Sequence, residues 1–291
     1  PLKTTTVTLS KSRPREGRWE CITPPKRFCR QRACFGDPTL DRIEVTNHGR
    51  GMKKLLLPIV LVLFASSAFG EDIADIRKKA EAGEAEAQHK LGVAYYNGKG
   101  VSTDRKEAIK WFRKAAGQDY SKSQYNLGLI FYHGLGVLAD RKEAMKWYGR
   151  AAEQGVAAAQ QDLGDMYYDG AGVEGYRTAA KWYRKAAEQG EAWSQYRLGV
   201  MCFFGFGGVP KNYEDAVKWH RKAAEQGLGA AQSSIGSKYY HGEGVLKDYK
   251  EAVKWYRKAA EQGDEGGLYF LGRMYEEGKG VPKDNVNAYA L

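Results

Sequence analysis

From Glu84 onward, apolar residues return in a pattern with a period of about 36, too long for one helix or strand and suited to a small supersecondary unit. Leu91-Gly92 recurs as Leu127-Gly128, Leu163-Gly164, Leu198-Gly199, Ile235-Gly236 and Leu271-Gly272, in steps of 36, 36, 35, 37 and 36 residues. A second column holds Trp111, Trp147, Trp182, Trp219 and Trp255, five of the seven tryptophans. Within a unit, Ala87, Leu91 and Tyr95 stand four apart and predict one apolar stripe on a first helix. Gly98 follows, a residue that enters the left-handed region without Cβ strain. After Gly98-Lys99-Gly100-Val101, Asp104 is a favoured N-cap, and Glu107 completes a capping box. The same pair is Asp140 with Glu143 and Asp248 with Glu251. In the second helix Ala108, Trp111 and Ala115 are expected on the buried face, and the helix stops at Asp119, Gly155, Gly190, Gly227 or Gly263.

A single such hairpin cannot bury its apolar face, whereas stacked copies share one core. The expectation is therefore an all-α solenoid. Small residues at the Gly92 and Ala115 slots let helices approach, with the tryptophans filling the space between hairpins. Residues 71–83, with Ile73, Ile76 and Ala80 on one side, read as an N-terminal capping helix. Residues 84–291 read as five full repeats and a sixth cut short at Leu291.

Charge changes this picture only ahead of the array. The chain carries a formal +11, yet residues 1–51 hold 11 Lys+Arg against 5 Asp+Glu, and from Glu71 onward the balance is +3. So small a balance gives no grounds for expecting a nucleic-acid partner. Met52-Lys53-Lys54, an apolar run from Leu55 to Ala65, and the small residues Ala68 and Gly70 have the layout of a cleavable signal peptide over residues 52–70. The run is shorter than the ~20 residues of a membrane span. Periplasmic or secreted residence is expected, with membrane contact only through that segment. Residues 1–51 show no periodicity and read as upstream or disordered sequence. Cys21, Cys29 and Cys34 lie there, so Cys202 is the single cysteine after the leader and no intramolecular disulfide is expected in the array.

The run Ala-x-x-x-Leu-Gly-x-x-Tyr-x-x-Gly-x-Gly-Val (Ala87 to Val101), then Asp-x-x-x-Ala-x-x-Trp-x-x-x-Ala-Ala-x-x-Gly (Asp104 to Asp119, with Asp119 for the last Gly), resembles the Sel1-like repeat. That repeat is a relative of the tetratricopeptide repeat, whose period is about 34 residues; the Gly-x-Gly-Val loop separates the two. The resemblance covers Glu84 to Leu291 and implies a right-handed α/α solenoid of helix-turn-helix units that binds other proteins. Two units depart from it: the third lacks the cap Asp and is short between Val173 and Trp182, and the fourth has an extra residue in Phe204 to Val209. A cysteine-rich, Helicobacter-type branch has been credited with β-lactam binding or hydrolysis. This chain lacks those cysteines, so a cell-wall or β-lactam hydrolase is the alternative rather than the expectation.

No chemistry-bearing motif competes. The glycine loops join two helices instead of following a strand, so they are turns and not phosphate cradles. His89, His133, His220 and His241 are expected at the surface or at helix ends, and no metal or other cofactor is implied. The Lys/Arg residues around each Trp read as a solvated face. Information lies where the scaffold varies: the slots of Glu86, Lys90, Val93 and Asn97 share one face of the first helix. By analogy with related solenoids, that face lines a concave groove. In the third and fourth units it carries Asp162, Asp165 and Asp169 beside Trp193, Arg197, Val200 and Phe204. Exposed aromatics beside charge suit a hot spot for a protein or peptide partner. The expected function is a non-catalytic interaction scaffold of the bacterial envelope or secreted space, with a secreted effector acting on host proteins as a variant of it.

Overall fold

The computed structural model describes residues 72–170 and 172–290. The expectations for residues 1–51, for the signal segment Met52 to Gly70 and for Leu291 lie outside the described residues. Thirteen α-helices and no strand occur among those described: α1 (Ile73–Glu81), α2 (Ala85–Asn97), α3 (Arg105–Gly117), α4 (Ser121–His133), α5 (Arg141–Glu153), α6 (Ala157–Asp169), α7 (Val173–Glu188), α8 (Ala192–Phe204), α9 (Tyr213–Glu225), α10 (Gly229–His241), α11 (Tyr249–Glu261), α12 (Glu265–Glu277) and α13 (Asn285–Ala290). Helices α2/α3, α4/α5, α6/α7, α8/α9 and α10/α11 form hairpins, and each second helix packs in turn on the next first helix. Helix α1 lies on α2 through Ile76 and Ala80, where α2 offers Ala87 and Leu91. The architecture is an all-α solenoid.

Local chemistry explains the ends of the helices. Asp104 accepts a hydrogen bond from the Glu107 N–H at 2.9 Å, and Asp140 and Asp248 do the same for Glu143 and Glu251. The box closes on one side only. The Asp104 N–H donates to the Tyr95 carbonyl at 2.9 Å across the hairpin, so it has no need of Glu107. That glutamate turns instead to Lys110, 2.8 Å away. Between the helices, Gly136 has φ +85°, and a Cβ there would meet Cβ of Arg105 at 2.7 Å. Glycine loops thus seat the hairpins on the first turn of the preceding helix, except in the third unit, where Gly172 meets nothing within 4 Å.

The deepest column differs from the expected one. The residue after each tryptophan (Phe112, Tyr148, Tyr183, His220, Tyr256) is at most 2% exposed. Trp111 and Trp255 are buried too, at 8% and 9% exposure, whereas Trp147, Trp182 and Trp219 remain half-buried. The Leu-Gly column causes this, because the missing Cβ at Gly92 opens the space that the Phe112 ring occupies; a Cβ would lie 2.8 Å from it. Each tryptophan then spreads over the second helix beneath a cation three residues on, as Lys114 lies 3.9 Å from the Trp111 ring centroid. The leucines behave as expected: Leu91, Leu127, Leu163, Leu198, Ile235 and Leu271 are all within 3% of full burial. Each contributes on the order of 2 kcal/mol by burial.

A second repeating contact ties the units together. Gln88, Gln124, Gln160, Gln195 and Gln232 are buried near the start of the first helices. Each donates through Nε2 to the carbonyl eight residues earlier, at the end of the preceding second helix: Ala80, Ala116, Ala152, Ala187 and Ala224, at 3.0–3.2 Å. Each also accepts from the C-cap glutamine of its own second helix, Gln118, Gln154, Gln189, Gln226 or Gln262, at 2.7–3.1 Å. Buried amides are thereby satisfied along five units, which meets the requirement that buried polar groups be paired.

The two irregular units adjust within their hairpin loops. In the third, Gly170 stays right-handed and α7 starts early, giving 16 residues against 13 in the other second helices of the array. In the fourth, Gly207 and Gly208 both take positive φ. The longer loop reaches back to the first turn of α7, where Phe206 packs edge-on against Tyr176 at 5.6 Å.

Candidate functional site

The variable face belongs to the first helices α2, α4, α6, α8, α10 and α12. Apart from the exposed Glu86, its first three slots are buried or half-buried in every unit. The last slot (Asn97, His133, Asp169, Phe204, His241, Glu277) is exposed in every unit. It is polar five times and aromatic once. Phe204 is 62% exposed and stands edge-on to Phe203 at 4.9 Å.

Repeats three and four meet in a compact cluster. The Arg197 guanidinium lies 4.7 Å from the Tyr168 ring centroid and 4.9 Å from that of Trp193, so two rings clamp it. Its Nε sits 3.9 Å from Asp165 Oδ1, an ion pair longer than a hydrogen bond. Asp165 accepts from the Tyr183 hydroxyl at 2.6 Å, and Asp162 accepts from the Tyr125 hydroxyl at 3.2 Å. This corrects one expectation. Asp162 and Asp165 are 3% and 8% exposed, hence part of the packing between units and not a solvated acidic stripe. Asp169 alone of the three is exposed. Trp193, Arg197 and Val200 are half-buried, and Phe204 with Asp169 forms the open margin. The structure therefore joins Asp165, Trp193 and Arg197 into one locked group, with Phe204 about 10 Å further along α8.

The histidines are also corrected. His89 and His220 are 4% and 2% exposed. His89 Nδ1 lies 2.9 Å from Ser123 Oγ, with the Phe112 and Tyr120 rings beside it. Burial, with Lys122 and Lys90 nearby, holds its ring at about 4, below the usual imidazole range. His220 fills the deep aromatic slot, and neither ring nitrogen makes a well-formed hydrogen bond. Burial and the Lys238 ammonium lower it to about 3, against a weak opposing pull from the Tyr196 backbone. Lys238 itself is 6% exposed, with Nζ over the Phe203 ring and 3.1 Å from Glu243 Oε2. Its slot holds Ala94, Ile130, Met166, Met201 and Met274 elsewhere.

Six consecutive segments, residues 85–120, 121–156, 157–191, 194–228, 229–264 and 267–291, each match the Sel1 repeat. The chain belongs to the Sel1-repeat family. Its array is similar to the crystal structure of c5321, a protective antigen present in uropathogenic Escherichia coli strains displaying an SLR fold. Identity is 40% and the TM-score 0.70, over 76% of this chain and 47% of that one. A Sel1 repeat protein from Oxalobacter formigenes is 31% identical with a TM-score of 0.64, over 75% of this chain and 91% of that one. A segment of 67 residues is 40% identical to the secretory immunoglobulin A-binding protein EsiB of Escherichia coli O6:H1 strain CFT073, covering 21% of this chain and 14% of that protein. The chain thus spans less than half the length of c5321 and a small part of EsiB.

Within the Sel1 array, several residues of the cluster escape a sequence reading. Tyr168, the second ring of the Arg197 clamp, sits in a slot that is Tyr or Phe in five of six repeats, so nothing marks it out. Lys238 could have been found by reading each Sel1 column downward, where one charge among Ala, Ile and Met stands apart. The glutamines recur as plainly as the tryptophans, and their role shows only once both helix ends are placed.

Proposed function

We propose that this Sel1 array is a non-catalytic protein-binding module acting outside the cytoplasm, in the periplasm or beyond the cell. Its partner lies on the first-helix face, which forms the groove. One observation carries the reading: Phe204 is an exposed aromatic in a slot that is otherwise polar, two helical turns along α8 from an arginine already held by two rings and a carboxylate. An immobilised guanidinium and a rigid helix lose little conformational freedom on association. Aromatic and arginine anchors of this kind supply much of the energy of protein interfaces. Asp169 stands on the same margin and contributes charge to partner selection. Asp162 and Asp165 act by positioning neighbouring helices and Arg197. Export follows the signal-peptide layout of Met52 to Gly70. No helix among the described residues is long and apolar enough to cross a membrane.

The test is capture of partners from envelope and extracellular fractions by the wild type and by Phe204→Ala and Trp193→Ala variants. Secretory immunoglobulin A is one defined probe, because EsiB is named for binding it. Loss of a hot-spot anchor costs about 2 kcal/mol or more, roughly a thirtyfold weaker Kd. Partners retained unchanged by both variants, together with nitrocefin or peptidoglycan cleavage by the purified protein, would replace the binding module with the hydrolase reading.

A further inference from the structure

The near-neutral charge of the array conceals a division between its two kinds of helix. The second helices α3, α5, α7, α9 and α11 together carry 20 Lys+Arg and 10 Asp+Glu. The first helices α2, α4, α6, α8, α10 and α12 carry 5 and 7. A net +3 from Glu71 onward thus averages a cationic layer with a slightly acidic one.

Within the cationic layer, one acid near the start of each second helix is consumed locally, as Glu107 is by Lys110 at 2.8 Å. The position three residues after each tryptophan is different. Lys114, Arg150, Lys185, Lys222 and Lys258 are all exposed. They lie over their own Trp rings at 3.9, 5.1, 4.5, 4.5 and 4.4 Å from the centroids. A free lysine or arginine head samples many rotamers and loses that freedom on binding. These five are already held, once per repeat, in a row along the array. The large exposed apolar residues of the second helices, among those described, are Val173 and Tyr213 at their first positions, so the row attracts by charge alone.

We propose that this row docks a linear polyanion, a sulfated glycan chain in chemical class, on second-helix surface separate from the first-helix groove. The site does not rest on the groove reading. Charge placement favours a chain over a membrane. Glu153, Glu188, Glu225 and Glu261 follow the cations by three residues and form a parallel acidic row. A flat anionic bilayer meets both rows, whereas a narrow chain can follow the cations and keep away from the acids.

The probe is fluorescein-labelled heparin, titrated by anisotropy with the full chain between 50 and 200 mM NaCl. Release of about five counterions predicts roughly a hundredfold loss of affinity over that range. Changing all five cations to Gln should flatten the logarithmic salt slope by about 3 to 4. Residues 1–51 carry 11 further cations in both proteins, so the readout is the change in slope and affinity between them and not the absolute loss. A second variant guards against misfolding: Glu153→Gln, Glu188→Gln, Glu225→Gln and Glu261→Gln together should tighten heparin binding. Heparin affinity unchanged in both variants overturns the proposal. So does a phosphatidylglycerol-vesicle affinity that falls with the five cations while heparin affinity does not, which would assign the row to a membrane.

Discussion

Acidification from pH 7 to pH 5 is expected to destabilise the array through two buried rings. His89 and His220 titrate near 6.5 in the unfolded chain but at about 4 and about 3 when folded. A lowered histidine means that the unfolded chain takes up the proton first. Stability is therefore full above about pH 6.5 and falls as pH drops toward the folded values. At pH 5 the unfolded ring lies about 1.5 units below its own midpoint, and each unit is worth about 1.4 kcal/mol. Each histidine then costs about 2 kcal/mol, nearly independent of its folded value so long as that stays below about pH 4. Together they remove about 4 kcal/mol, a large part of the ~5–15 kcal/mol that holds an ordinary domain. Carboxylates stay ionised above about pH 5 and contribute little in this window. The assay is urea unfolding followed by tryptophan fluorescence at pH 7, 6 and 5. His220→Tyr, the residue of repeats two, three and five at that slot, should recover about half of the loss. His89→Tyr, which copies Tyr125 and Tyr196 at the equivalent slot, should recover the other half. If wild type and both variants lose the same stability between pH 7 and 5, the assignment of the acid response to these rings is wrong.

Three further outcomes follow from packing and can be read by the same unfolding measurements. Gly128→Ala should destabilise by about 1–3 kcal/mol, because its Cβ would press into the Tyr148 ring, while Gly149→Ala meets nothing within 4 Å and should stabilise by about 0.5–1 kcal/mol. Equal signs for the two would refute the close approach at the Leu-Gly column. Gln160→Leu should cost about 1–3 kcal/mol, since it strips the Ala152 carbonyl and the Gln189 amide of a partner at once; a neutral result would mean that water replaces the amide. Lys238→Met restores the residue found at three equivalent slots and should leave stability unchanged or raise it by about 1–4 kcal/mol, with a marked loss counting against the packing argument.

The elements themselves were legible because they depend on local signals. The Leu-Gly pairs, the cap aspartates and the glycine stops mark helix ends with little need of tertiary context. Asp119 shows the rule holding even under substitution: it is the one non-glycine residue with positive φ among those described, at 58°, in the stop slot. Depth was less legible. Repetition reveals which columns are constrained, not how far each lies from water. The tryptophans read as one buried column, yet only Trp111 and Trp255 are buried, and the next residue takes the deepest place because the glycine opposite makes room for its ring. The aspartates of α6 read as part of an open partner-binding face, since they share the variable slots of the first helix. Their burial depends on hydroxyls 37 and 18 residues away: Tyr125, which the stacking of units brings near, and Tyr183, which the hairpin itself folds back. Phe204, by contrast, was readable, because exposure at that slot is set by its place beside the helix-ending glycine.

The glutamine contacts have a consequence for how such a molecule changes over time. Paired glutamines are 30, 30, 29, 31 and 30 residues apart, yet their hydrogen bonds stay within 2.7–3.1 Å. The missing and the extra residue were both absorbed at the far end of the hairpin, where the glycine loops turn. One margin of the molecule is thus a spine of constant pitch, and the other is a free hem where length and composition can drift without misaligning anything downstream. New elements can be sewn into that hem repeat by repeat, as the lengthened loop of repeat four was, with Phe206 stitched onto Tyr176.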